Sequence, residues 1–295
     1  MAKRLTVDKI GTPGGEAWLV RAAHSAVLVD TGFPFYGKTL AKDVSRRLGG
    51  LPLTDILVTH SHYDHAGGLA KIKEAFPDAD VSMAAHAQEV LRREGALKAM
   101  RALNRTAASL TEGAFEALDD DVGGYAADRI LMEGDSIRTV DFLIEAWETP
   151  GHTNDSLSFW FPHENLMALS ETTGVFSKAP QLYAEPAFIV SWKAAITALE
   201  RIGKLSPQTL IIPHAGVLTG DDVHEFLQKE REEILFAKDL VLQFNSEGKT
   251  IDEILAVFQS RYYDHRPASL SECQPLPAFL INFTTMISRI LAEEQ

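Results

Sequence analysis

A chain of 295 residues with 45% hydrophobic content can bury a sizeable core, as one large two-layer domain or as a core with an appendage. Its formal charge of −13 disfavours a nucleic-acid partner. No apolar run is long enough to cross a bilayer and no secretory leader pattern is present, so a cytoplasmic protein without a membrane partner is expected. The lone Cys273 excludes an internal disulfide framework and a paired-thiolate zinc site.

Two β-rich runs, around 5–10 and 16–22, flank Thr12-Pro13-Gly14-Gly15, which reads as a hairpin turn. A third apolar run, 25–29, ends in Asp30-Thr31-Gly32, where a short polar residue and a glycine let the chain leave a buried strand sharply. Helical spacing over 39–48 precedes a buried strand at 55–59, which runs into a histidine-rich loop; Leu69, Ile72 and Phe76 then return at helical spacing. After a short strand at 81–84, the stretch 87–118 reads as helix and closes on an acidic patch, 119–124. This insertion, about 87–124, either walls a site or covers a sheet face. Strands are expected at 136–140, 143–149, 157–161, 166–169 and 209–212, with a helix over 191–202. Runs of strands with helices between them predict an α/β sandwich carrying helices on its outer faces. Beyond Gly220 the spacing predicts helices at 221–244, 251–260 and 277–292, with a turn at 246–248 and a proline-containing linker over 266–277. The expected division is a catalytic domain, 1–219, and a helical appendage, 220–295.

The chemistry concentrates in His60-x-His62-x-Asp64-His65, placed where a buried strand ends. A strand fixing its start and a helix fixing its end let such a loop aim several side chains at one small volume. Imidazole nitrogen and carboxylate oxygen suit zinc and lie within the range of iron or manganese. Three histidines and an aspartate within six residues are poorly explained as a solvated loop. One such cluster cannot surround two ions, and further donors stand after later strands: His152 in Pro150-Gly151-His152-Thr153, Glu171 in Leu169-Ser170-Glu171-Thr172, and His214 in Pro213-His214-Ala215-Gly216. His24, His86, His163, His224 and His265 lack such a context and read as surface or capping residues, His86 being the nearest to an exception. Asp30 reads as a turn-forming or ligand-supporting residue.

Across residues 5 to 219 these motifs resemble the metallo-β-lactamase-fold hydrolases, glyoxalase II-like members in particular: HxHxDH followed by Ala-Gly-Gly, then Gly-His-Thr, Pro-His-Ala-Gly and the early Val-Asp-Thr-Gly. The resemblance implies a four-layer αββα sandwich with an added C-terminal helical segment. It further implies that His60, His62 and His152 hold one divalent metal, that Asp64, His65 and His214 hold a second, and that Glu171 bridges them, with zinc expected ahead of iron or manganese. The family normally has Asp at the bridging position, so Glu171 is a departure, as is Asn154-Asp155-Ser156 where glyoxalase II-like chains commonly have Pro-Gly-Ser. Flavin-dependent diiron relatives usually have Glu where this chain has His62, which favours hydrolysis over oxygen chemistry.

Two such cations can hold a bridging hydroxide at neutral pH and polarise the scissile bond, so no nucleophilic side chain is needed. Asp64 is the expected catalytic residue, orienting that hydroxide and carrying a proton to the leaving group. A helical appendage resembles the arrangement in glyoxalase II-like and quinolone-signalling thioesterase-like proteins, which favours a small-molecule thioester, ester or lactone. A small phosphodiester, or a non-catalytic metabolite-sensing role, are the alternatives; the absence of Lys/Arg runs argues against a nuclease. Tyr125, Phe176, Tyr183, Tyr262 and Tyr263 are candidate pocket residues, and amphipathic C-terminal helices are a candidate homodimer surface.

Overall fold

The computed structural model describes residues 5–111, 122–123, 125–178, 182–267, 270 and 274–294. The acidic patch expected over 119–124 lies outside the described residues apart from Val122 and Gly123, as do the 112–118 end of the insertion and Cys273. The chain divides into two units, residues 1–147 with 157–164, and residues 148–156 with 165–295.

In the first unit β1 (Thr6–Thr12), β2 (Gly15–Arg21), β3 (Ala26–Val29), β4 (Leu53–Leu57), β5 (Asp80–Ala84) and β6 (Arg129–Leu131) lie side by side in chain order. The β1–β2 and β2–β3 pairings are antiparallel; from β3 onward each pairing is parallel. Of the parallel strands, β3 is a continuous apolar run, Ala26-Val27-Leu28-Val29, buried along its whole length, as a strand covered on both faces should be. Helix α1 (Gly37–Leu48) buries Leu40, Val44 and Leu48 at i, i+4 and i+8, a stripe worth about 1.5–3 kcal/mol per side chain. It stops at Gly49, whose φ of 56° supplies the left-handed residue that ends many helices. Near that end Arg47 reaches Asp8, which Arg21 also holds at 2.7 Å, tying α1 to β1 and β2. The short helix α2 (Tyr63–Ala66) and α3 (Leu69–Ala75) follow β4. Leu19, Leu28, Ile56, Val81 and Met83 of the strands form one core with Leu69 and Ile72 of α3. Later in the same unit β7 (Ser136–Arg138) and β8 (Leu143–Glu148) form an antiparallel hairpin, and β9 (Leu157–Phe161) is buried along its whole length.

The insertion differs from its expected form. Instead of one helix from 87, the chain makes α4 (Ala85–Val90), turns, and resumes as α5 (Glu94–Leu110). The break lets Leu91 and Leu97 both enter the core, while Gln88 spans to the backbone of Tyr125 and Ala127. Packing on either side of the turn outweighs the helix propensity of the intervening residues.

In the second unit β10 (Leu166–Ala168) pairs parallel with β13 (Thr209–Ile212), and β13 pairs antiparallel with β14 (Gly216–Thr219). A separate antiparallel hairpin joins β11 (Val175–Ser177) to β12 (Tyr183–Glu185). Helix α6 (Trp192–Leu205) starts where the Ser191 hydroxyl accepts the Ala194 N–H at 3.1 Å, and buries Ala195, Ala198, Leu199 and Ile202. The C-terminal helices are α7 (Asp221–Ser246), α8 (Ile251–Phe258) running into a π turn (Gln259–Tyr263), and α9 (Leu276–Glu293). Thr250 and Glu253 form a reciprocal cap on α8. Phe258, Tyr262, Phe279 and Phe283 stack into an aromatic core for this helical segment, Phe279 and Phe283 with ring centroids 4.2 Å apart. No helix among the described residues is long and apolar enough to cross a membrane.

Candidate metal centre

The first unit supplies four candidate donors from one loop. β4 carries the chain through the buried Val58 and Thr59 to His60, and His62 then stands at the N-terminus of α2, so that the next turn presents Asp64 and His65. The centroid of the His60 ring lies 4.7 Å from that of His62 and 4.0 Å from that of His65, and Asp64 Oδ2 lies 3.9 Å from His65 Nε2. Buried partners fix the histidines from behind. Thr59 Oγ1 meets His60 Nδ1 at 3.0 Å, and Asp30 Oδ2 meets His65 Nδ1 at 2.9 Å. With each Nδ1 occupied, Nε2 is the nitrogen left to ligate. Asp30 also accepts the Thr59 N–H at 2.8 Å and takes a φ of 61°, so one strained residue turns the chain out of β3 and orients the loop beyond β4. Tyr125 Oη donates to the Gly67 carbonyl just after α2, and lines a recess of about 360 Å³ with Leu91, Arg92, Leu97 and Ala126.

The second unit supplies three more candidates. His152 follows Gly151, whose carbonyl accepts the N–H groups of Ile189, Val190 and Ser191 at the start of α6. His152 Nδ1 bonds the Ala187 carbonyl, which again leaves Nε2 outward. Glu171 opens a 3₁₀ turn (Glu171–Thr173) directly after β10 and Ser170. Its Oε2 stands 2.7 Å from His152 Nε2 and its Oε1 3.1 Å from His214 Nε2, so the carboxylate spans both histidines with separate oxygens. Burial alone would raise the Glu171 carboxyl; facing His152 and His214 more than offsets it and holds the group well below the usual carboxylate range. His214 itself has a φ of 57°, a strained backbone like that of Asp30.

Each unit therefore gathers its own part of the residues singled out in the sequence, in a donor set of imidazole and carboxylate that fits zinc and neighbouring divalent metals. None of the other histidines is buried, and His86 faces Glu89 across a helical turn at 3.6 Å. The aromatic candidates are engaged in packing: Phe176 against Phe226, Tyr262 against Phe258 and Phe283, and Tyr263 against Phe279. What the sequence reading missed is the structural backing from Thr59 and Ala187, a hydroxyl and a carbonyl that carry no motif of their own.

The sequence profile of the metallo-β-lactamase superfamily matches residues 10–214. The chain belongs to this superfamily. A hydroxyacylglutathione hydrolase of Methylobacterium sp. (strain 4-46) is 30% identical over 168 residues, covering 54% of this chain and 52% of the relative. The chain thus spans about half the length, or less, of the hydroxyacylglutathione hydrolases it matches. A probable metallo-hydrolase of Bacillus subtilis (strain 168) is 24% identical, covering 67% of this chain and 78% of the relative. Among solved structures, a metallo-β-lactamase family protein from Thermus thermophilus superposes with a TM-score of 0.66 at 16% identity, over 98% of this chain and 93% of that one. The mixed α/β fold class implied by the HxHxDH loop and the later single histidines is the fold of this metallo-β-lactamase superfamily chain, C-terminal helices included.

Proposed function

We propose that this chain is a cytoplasmic, dinuclear metal-dependent hydrolase acting on a thioester, ester or lactone of a small organic acid. The catalytic region is 1–219, with 220–295 contributing to substrate choice and to a homodimer surface that sedimentation would test. His60, His62 and His152 would hold one divalent metal, Asp64, His65 and His214 the other, and Glu171 would serve both. Zinc leads iron and manganese on donor chemistry. The observation that carries the reading is Glu171, whose two oxygens address two different histidines, as a residue serving two metals requires. The likeness to hydroxyacylglutathione hydrolases supports a thioester.

When bound, two divalent cations lower the pKa of water and polarise the scissile carbonyl. The chain's own contribution is positional. Thr59 and Asp30 hold the rings of His60 and His65 by their Nδ1 atoms, and the Ala187 carbonyl does the same for His152. Asp64, half-buried at the start of α2, accepts the proton that hydrolysis releases and returns it to the leaving group.

The test is elemental analysis of protein purified without added metal, with hydrolysis of a thioester, a lactone and bis-(p-nitrophenyl) phosphate measured before and after chelation. About two equivalents of metal and a chelator-sensitive thioester or lactone activity are expected. Cleavage of the phosphodiester alone overturns the substrate class. No metal, and no cleavage after zinc, iron or manganese is restored, overturns the enzyme reading in favour of a metabolite-binding protein.

A further inference from the structure

Outside the donor set, the second unit buries three glutamates where β12 packs on α7: Glu185 of β12, and Glu230 and Glu233 of α7. Their surroundings differ. Glu233 is fully paired, receiving Arg261 on both oxygens at 2.8–3.2 Å and Tyr262 Oη at 2.7 Å. Glu230 is 0% exposed and neither of its oxygens has a hydrogen-bond partner among the described residues. Burial, then the like charges of Glu233 and Glu185, push its carboxyl well above the usual range, with Lys229 pulling the other way. An ionised Glu230 would be an unpaired charge among like charges; as an acid it is only an unpaired polar group.

The state of Glu185 follows from counting hydrogens. Tyr183 Oη lies 2.7 Å from Glu185 Oε2 and 2.8 Å from the backbone oxygen of Tyr262. A phenol has one hydrogen to give, and both a carbonyl and a carboxylate only accept. An ionised Glu185 would leave two acceptors competing for that hydrogen. A proton on Glu185 gives both contacts a hydrogen: Glu185 donates to Tyr183 Oη, which donates to the Tyr262 carbonyl. Burial pushes the Glu185 carboxyl up to about 7, against the opposing pull of Tyr183 and Arg266.

We propose that Glu185 and Glu230 are held as neutral acids, and that the proton on Glu185 is a latch fastening the β11–β12 hairpin to the C-terminal helices, a latch that weakens as the solution moves from acid to neutral. The groups facing Glu185 are Tyr183 on its own strand, Glu230 on α7 with Glu233 and Lys229 beside it, and the Tyr262 carbonyl and Arg266 from the π turn and the residues after it. The hairpin is also gripped at its entrance. At Gly174, φ 73°, an added Cβ would lie 2.4 Å from both Glu230 Oε1 and the Glu185 carbonyl, so only glycine lets the chain pass α7 this closely. This inference does not depend on the reading of the metal centre.

The sign follows from linkage. Unlatched and in water, Glu185 has its ordinary value of 4.5; latched, about 7. The latch is at full strength below the lower value and weakens about tenfold per pH unit up to the higher one, after which it changes no further. Backbone hydrogen exchange of β11 and β12 reads this directly when wild type and Glu185→Gln are compared at each pH from 5.5 to 7. The glutamine N–H donates to Tyr183 Oη as the acid does, and it cannot titrate. The comparison at equal pH cancels every other group that changes charge in the same window. Hairpin exchange in wild type relative to the variant should rise about tenfold per pH unit. A ratio independent of pH, or a variant loosened at every pH, overturns the latch. In wild type alone, infrared spectroscopy should show one carboxylic-acid carbonyl band disappearing between pH 6 and 8; its absence at pH 6 overturns the proposal without any variant.

Discussion

Replacing Asp30 with Asn tests how the loop of the first unit is oriented, because it alters hydrogen placement with little change in shape. Asp30 Oδ1 accepts the Thr59 N–H at 2.8 Å, and Oδ2 accepts from His65 Nδ1 at 2.9 Å. A backbone N–H can only donate, so the asparagine oxygen must stay on Thr59 and its amide nitrogen must face His65. Two N–H donors cannot face one another. His65 is then driven to carry its proton on Nε2, the nitrogen assigned to the metal. Loss of an orienting carboxylate of this kind lowers metal affinity about 10–100-fold, or about 1.4–2.7 kcal/mol. Asparagine tolerates the φ of 61° at this position, so unfolding of the metal-free protein should shift by only about 1 kcal/mol. Competition with a chromophoric chelator gives the affinity, and thermal unfolding of the stripped protein gives the stability. An unchanged affinity in a variant that folds normally would refute the assignment of His65 Nε2 as a ligand backed by Asp30.

Two further substitutions probe the second unit. A Cβ on Gly151 would lie 2.6 Å from Thr172 Cγ2 and 2.9 Å from Ala195 Cβ, at a φ of 150°; Gly151→Ala should therefore cost about 1–3 kcal/mol in urea unfolding, and an unchanged midpoint would mean that α6 yields more easily than the contacts imply. Phe283, 1% exposed among Phe258, Tyr262 and Phe279, should lose about 3–5 kcal/mol as Phe283→Ala by calorimetry, and a loss below about 1 kcal/mol would show that these rings are not a core.

The candidate donors stood out in the sequence because each stands just past an apolar run, and apolar runs ending in histidine or glutamate are visible without a structure. β9 and β13 match their expected spans because they are wholly or nearly wholly buried. β6, β11, β12 and β14 gave no comparable signal: each has three or four residues and at least one is not buried, too little for a period of two to register. The break between α4 and α5 lacked a proline, and its cause is the burial of Leu91 and Leu97 against residues distant in sequence. The hydrogen bonds behind the histidines were illegible for a different reason. Ala187 contributes through its carbonyl, which every residue has, and Thr59 through a hydroxyl that resembles any strand threonine.

Of the four non-glycine residues with positive φ among the described residues, Asp30 backs His65 in the first unit and His214 pairs with Glu171 in the second. Each holds its side chain in place at the expense of about 1–3 kcal/mol of backbone strain. A search for heat-resistant variants that ignores activity would therefore be drawn to these positions, where glycine relieves the strain and removes the functional group in the same step. Variants recovered that way would trade the side chains of Asp30 and His214 for an easier backbone.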